Sequence, residues 1–190
     1  TGTFTRHWQA EDMCGNVAAC IQTIVIIDNT KPVLQLPPAI TISCEESSGT
    51  DHTGYAEAFD NCTPVSEIQL GFSDSVHGLN GCNGTGTLVR TWTARDACNN
   101  IISGAQFITI TDQKAPSINT PANITITCEA SILPANTGSM TATDQCGSVF
   151  MGYTDAVIEQ VCNGTGSIQR TWSAIDGCGN MAQGIQMITI

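Results

Sequence analysis

Hydrophobic and polar residues alternate in step along three stretches of the chain. Between Gly86 and Arg95, Leu88, Arg90, Trp92 and Ala94 would share one face of a strand, with Val89, Thr91, Thr93 and Arg95 on the other. The same alternation aligns Phe4, Arg6, Trp8 and Ala10, and again Ile168, Arg170, Trp172 and Ala174. The runs AITISC, NITITC, TIVIID and FITITD are short, rich in Ile, Val and Thr, and bounded by Pro, Gly, Asn or Asp, which reads as strands. No window keeps an apolar period of 3.6 residues, so no long helix is expected. Strands are predicted near 38–44, 53–59, 66–74, 86–95 and 103–111, with a variable stretch around 75–84 and the same series further on.

The stretches form a repeat. Cys14, Cys98 and Cys178 are 84 and 80 residues apart, and Trp8, Trp92 and Trp172 take the same steps. The predicted organisation is the C-terminal half of a repeat at 1–28, a complete repeat at 33–112 and another at 116–190. With neither a start methionine, a signal peptide nor a long apolar run, the chain reads as an excerpt of something longer, with a processed product as the alternative. Six or seven short strands per repeat predict an all-β fold of tandem immunoglobulin-like antiparallel β-sandwiches.

Cysteine changes this picture. Ten cysteines in 190 residues, four in each complete repeat, suit an oxidising extracellular setting. Zinc is the competing use, but no CxxC pair occurs and His7, His52 and His77 recur in no other copy. In an immunoglobulin-like arrangement Cys44 and Cys82 lie at one end of the sandwich and Cys62 and Cys98 at the other. The expected bridges are therefore Cys44–Cys82 and Cys62–Cys98, then Cys128–Cys162 and Cys146–Cys178. Sequential pairing of Cys44 with Cys62 is the main alternative. Cys14 and Cys20 are assigned to upstream partners, with a local Cys14–Cys20 bridge as the other choice.

The alternation places the pairs Arg6 and Trp8, Arg90 and Trp92, and Arg170 and Trp172 on inward faces as structural core. A buried guanidinium needs a carboxylate. Asp74 and Asp155 are the first candidates, each following an apolar alternation, and Glu45 and Glu129 the second. Repetition of the motif in three copies points to architecture, not to a catalytic arginine.

With 17 acidic and 6 basic residues the net charge is -11, which argues against nucleic acid or anionic membrane as partner and favours divalent cations. Asp60, Asp96, Asp144 and Asp176 each stand two residues before a cysteine, and Asp28 and Asp112 open the linkers DNTKP and DQKAP. The simpler reading makes them turn formers. The alternative brings Asp28 to Asp60 and Asp96, and Asp112 to Asp144 and Asp176, as possible calcium sites at the joints. Asn61, Asn83, Asn123 and Asn163 sit in glycosylation sequons, meaningful in a eukaryotic secreted protein.

Taken together, ITITCEA, TGSMTATDQC, RTWSAIDGCGN and the QxITI ending with its DxxxP linker resemble HYR-like (hyalin-type) repeats, above all those of large bacterial cell-surface adhesins, the SprB-type gliding adhesins included. Many such repeats carry a further cysteine pair, whose places here hold Leu36 and Thr120, and Gly104 and Gly184. The resemblance implies immunoglobulin-like repeats of an extracellular stalk or filament serving attachment or surface motility. No cofactor is required beyond possible calcium. The expected partners are neighbouring repeats of the same chain and, beyond them, surface polysaccharide or a host substratum. Alternatives are a glycan- or protein-binding module using 75–84 or 156–161, and a filament subunit completed by a neighbour's strands. No nucleophile, base and orienting acid recur together, so an enzyme is not expected.

Overall fold

The computed structural model describes residues 1–160 and 165–190, and these are all-β. In chain order they form β1 (Gly2–Glu11), β2 (Val17–Ile26), β3 (Val33–Gln35), β4 (Ile40–Ser43), the one-turn α1 (Thr50–Thr53), β5 (Glu57–Phe59), β6 (Gln69–Ser75), β7 (Gly86–Arg95) and β8 (Ile101–Thr111). There follow β9 (Ser117–Asn119), β10 (Ile124–Thr125), the one-turn α2 (Pro134–Thr137), β11 (Thr141–Thr143), β12 (Val149–Gln160), β13 (Gly166–Asp176) and β14 (Met181–Thr189). Two four-stranded sheets share one order, β4–β8–β7–β6 and β10–β14–β13–β12, and two-stranded sheets β3–β5 and β9–β11 accompany them. The sandwich is not purely antiparallel. Strand β4 runs parallel to β8, pairing Ile40 with Ile108 and Ser43 with Thr111, and β10 runs parallel to β14.

The chain divides into two compact units: Thr1–Ala39, Gly49–Ser75 and Val89–Phe107 form one, and Ile40–Ser48, Val76–Leu88 and Ile108–Ile190 the other. In the first, Trp92 is fully buried and packs between Tyr55 and Phe72, with ring centroids 5.2 and 5.0 Å away. Arg90, 2% exposed, lays its guanidinium 4.4 Å over Phe72, donates Nε and Nη2 to the two Asp74 oxygens at 2.8 Å, and donates Nη1 to Thr53 Oγ1. Antiparallel pairing sets Asp74 opposite Arg90 and Phe72 opposite Trp92, so register brings the carboxylate to the charge.

The second unit repeats the arrangement. Trp172 packs with Met140, Ala174, Ile118 and Ala142, while Arg170 lies 4.3 Å over Tyr153 and is held by Asp155 at 2.7 Å. That carboxylate keeps Arg170 protonated beyond the usual arginine range. A separate cluster of Ile42, Leu88 and Ile108 fills the region beside β4. Gly54 and Gly138 each close a one-turn helix at φ 95°, where a Cβ would press on Pro37 or Pro121.

One expectation fails at the start of the chain. Hairpin β1–β2 pairs Gly2 with Ile26 through Glu11 with Val17, yet Trp8 is 51% exposed, with Arg6 also exposed and 5.4 Å over it. The groups that cover Trp92, namely Tyr55 and Phe72, come from residues earlier in its own segment, and 1–28 holds no counterpart of them.

Each tryptophan finds a glutamine fourteen residues on: Trp8 donates Nε1 to Gln22, Trp92 to Gln106 and Trp172 to Gln186. Gln106 and Gln186 are buried and donate onward to backbone oxygens, Pro38 and Thr53 in one unit and Ala122 and Thr137 in the other. Substituting Gln186 by Leu strands an indole N–H and two carbonyls. Thermal unfolding should report a loss of at least about 1–3 kcal/mol, the cost of one buried group left unpaired.

Candidate functional site

The local unit of the site is a turn after each Arg–Trp strand. Asp96 Oδ1 accepts from Cys98 N and Asn100 N at 2.8 Å, and Asp96 Oδ2 accepts from Asn100 Nδ2 at 2.7 Å. Asp176 does the same with Cys178 and Asn180, and Asp12 with Cys14 and Asn16. The spacing Asp-x-Cys-x-Asn is thus a turn that fixes a cysteine. Burial, the largest single influence, raises the carboxyls of Asp96 and Asp176, but the hydrogen bonds from their asparagine and from the turn's N–H groups together hold both below the ordinary aspartate value. Asp60 and Asp144 close similar turns, accepting from Cys62 N at 2.9 Å and from Cys146 N at 2.8 Å.

The turns meet the linkers. In the first unit Asn100 Nδ2 donates to the Asp28 carbonyl at 3.2 Å, and in the second Asn180 Nδ2 reaches the Asp112 carbonyl at 3.4 Å. Asp28, Asp60 and Asp96 thereby gather, each offering a carboxylate oxygen within 4.8 Å of the other two. Asp28 is 6% exposed and Asp96 3%. Oδ2 of Asp28 and Oδ2 of Asp60 are buried without any hydrogen-bond donor. The two carboxylates also help to push the Cys62 thiol above its ordinary value, second to desolvation.

The other expected group forms only in part. Asp112 and Asp176 come together, but the third atom within 4.8 Å is the sulfur of Cys178 and not Asp144. Lys114 stands nearby, with its ammonium 2.9 Å from Glu45, and the field of Asp144 adds to Glu45 in keeping it protonated.

Among the described residues two disulfides lie in the second unit, and neither is an expected one. Cys44 bonds Cys146 and Cys82 bonds Cys178. Cys44–Cys82 and Cys146–Cys178 are therefore corrected. So is Cys62–Cys98, because both cysteines are free, as are Cys14, Cys20 and Cys128. The Cys128–Cys162 assignment has its second member outside the described residues, as does the sequon at Asn163. The physical reason lies in the parallel strand. Pairing of β4 with β8 carries Cys44 beside Thr111, to whose carbonyl it donates at 2.9 Å, and so to the point where the chain enters the 112–116 linker. There the turns of Asp144 and Asp176 present Cys146 and Cys178. Asn83 completes this side with φ 53°, its amide near the Cys178 sulfur.

No protein-family model matches the sequence, and no curated protein matches it. Solved structures do show similarity. The protocadherin gammaB7 EC3-6 cis-dimer structure aligns at 10% identity over 100% of this chain and 60% of that chain, with a TM-score of 0.41. Drosophila N-cadherin EC1-4 aligns at 11% identity over 99% and 57%, TM-score 0.39, and the human desmocollin-1 ectodomain at 9% over 98% and 46%, TM-score 0.37. This chain spans about 60% of the first of these.

Proposed function

We propose that the chain is a structural segment of an extracellular, cell-surface adhesin stalk or filament that serves attachment or surface motility, built from half a HYR-like repeat at 1–28 and complete ones at 33–112 and 116–190. The observation that supports this most is the pair of bridges running from Cys44 and Cys82 to Cys146 and Cys178. These two span 102 and 96 residues and straddle the 112–116 linker, so a pull along the chain is borne by sulfur bonds as well as by sheet hydrogen bonds. The acidic surface and the cysteine content suit an oxidising exterior, and the partners on this reading are neighbouring repeats, then polysaccharide or a host substratum.

Force–extension measured from the two chain ends tests the stalk. The Cys44–Cys146 bond hides 102 residues from the pulled path, so reduction should lengthen the fully unfolded chain by about 340–370 Å at 3.3–3.6 Å per residue. Equal lengths before and after reduction would remove the load-bearing role. Antibody labelling of intact cells checks the location.

Calcium belongs to the same proposal at one joint. Two buried carboxylate oxygens without donors, beside a third carboxylate, fit a hard cation that takes oxygen ligands. Asp28, Asp60 and Asp96 would hold it. Asp112 and Asp176 fit less well, because their third neighbour is a disulfide sulfur, which is a poor calcium ligand, and Asp144 lies outside the group. Calcium should raise the melting temperature of the wild-type chain and leave Asp28→Asn/Asp60→Asn unmoved. Identical curves for the wild type with calcium and with chelator would dismiss the site.

A further inference from the structure

Two cysteines outside the bridges repeat the surroundings of cysteines inside them. Cys62 and Cys98 are set in their turns by Asp60 and Asp96 as Cys146 and Cys178 are by Asp144 and Asp176. Behind Cys98 and Cys178 the linker contact is the same, Asn100 to Asp28 and Asn180 to Asp112. In the bridged case the partner of Cys178 is Cys82, three residues before Thr85, whose Oγ1 lies 3.3 Å from the Cys82 sulfur. In the unbridged case Oγ1 of Thr1 lies 3.5 Å from the Cys98 sulfur. Thr1-Gly2-Thr3 answers to Thr85-Gly86-Thr87, each standing five residues before its arginine, Arg6 or Arg90. A cysteine three places ahead of Thr1 would stand to Cys98 as Cys82 stands to Cys178.

We infer that Cys62 and Cys98 are the receiving half of a second double staple, filled by the first and third cysteines of the repeat that precedes Thr1 in the same chain, and that Cys128 is a donor to the repeat that follows. The rule read from the closed joint is that the first cysteine of a repeat bonds the second of the next, and the third bonds the fourth. Applied along the chain, it leaves open Cys14, Cys62, Cys98 and Cys128, which are free, and among the described residues it sets aside Cys20, with Cys162 lying outside them. Forming each bridge joins two sulfurs and releases two protons and two electrons. A disulfide-bearing thiol oxidant accepts these and is reduced to its dithiol. The result is an array in which every joint is closed twice by sulfur, deepening the stalk reading without depending on the load test of the Cys44–Cys146 bond.

The test is a minimal extension. The 190-residue chain preceded by Cys-Asn-Gly, the residues that precede Thr85, is oxidised with a glutathione couple and mapped by non-reducing peptide mass spectrometry. The added cysteine should be recovered bonded to Cys98, with Cys62 still a thiol. A second chain, carrying residues 33–84 ahead of Thr1, completes the half repeat and should close both bonds, from its added first cysteine to Cys62 and its added third cysteine to Cys98. Recovery of Cys98 bonded to Cys62, or as a free thiol in both chains, would overturn the inference. So would covalent dimers joining Cys128 of one molecule to Cys62 or Cys98 of another, since the partner would then be a second chain.

Discussion

The variant Cys44→Ser/Cys146→Ser should lose about 4–5 kcal/mol of stability in chemical denaturation followed by tryptophan fluorescence, and Cys82→Ser/Cys178→Ser nearly as much. The bridges close loops of 102 and 96 residues, and in the chain-entropy account a loop of roughly 100 residues restricts the unfolded ensemble by about 4.7 kcal/mol. The two loops overlap along the chain, so removing all four cysteines should cost less than the sum: the first bridge already shortens the loop left to the second. Cys62→Ser is the control. Its thiol is unbonded and exposed, and the change should move stability by no more than about 0.5 kcal/mol. A loss from Cys62→Ser equal to that from the paired variants would mean that replacing a cysteine in its turn, and not breaking the cross-link, carries the effect.

Asp74→Ala should lower stability by about 3–5 kcal/mol, and Asp155→Ala similarly, because each leaves a buried guanidinium without its carboxylate. Arg90 and Arg170 are 2% and 0% exposed, whereas the aspartates are about one quarter exposed. The charge left behind is the buried one, which water cannot reach. The pair as a whole need not be worth that much. Replacing both partners, as Asp74→Ala/Arg90→Met, should recover most of the loss, since an apolar chain of similar length can occupy the space between Phe72 and the sheet. Thermal unfolding of the two singles and the double gives the coupling, and additive losses would show that the ion pair is incidental to the fold.

Much of this was readable from residues. Alternation placed Arg90 and Trp92 on one face, and the acidic residue closing the preceding apolar alternation, Asp74, is the one that register sets opposite Arg90. Strand β7 runs over the expected 86–95, while the expected strand at 53–59 begins later because Thr53 ends a one-turn helix whose hydroxyl serves Arg90. The glutamines carry a signal of their own: Gln22, Gln106 and Gln186 stand at the same steps of 84 and 80 as the tryptophans. A polar residue inside an apolar run looks like an outward position until its donor is identified. The disulfides depart from expectation for a different reason. Strand ends pair cysteines within one repeat, whereas the aspartates two places ahead of Cys146 and Cys178 mark the linker as the meeting place. Parallel pairing of β4 with β8, which alternation cannot reveal, puts Cys44 at that same linker.

Peptide mapping of the oxidised 190-residue chain without reductant bears most directly on the central claim that sulfur bonds cross the linker. Digestion should release one cross-linked species containing Cys44 with Cys146 and another containing Cys82 with Cys178, with Cys62 and Cys98 alkylated as free thiols. Recovery of Cys44 with Cys82, or of Cys146 with Cys178, would confine the bridges within repeats and contradict the account.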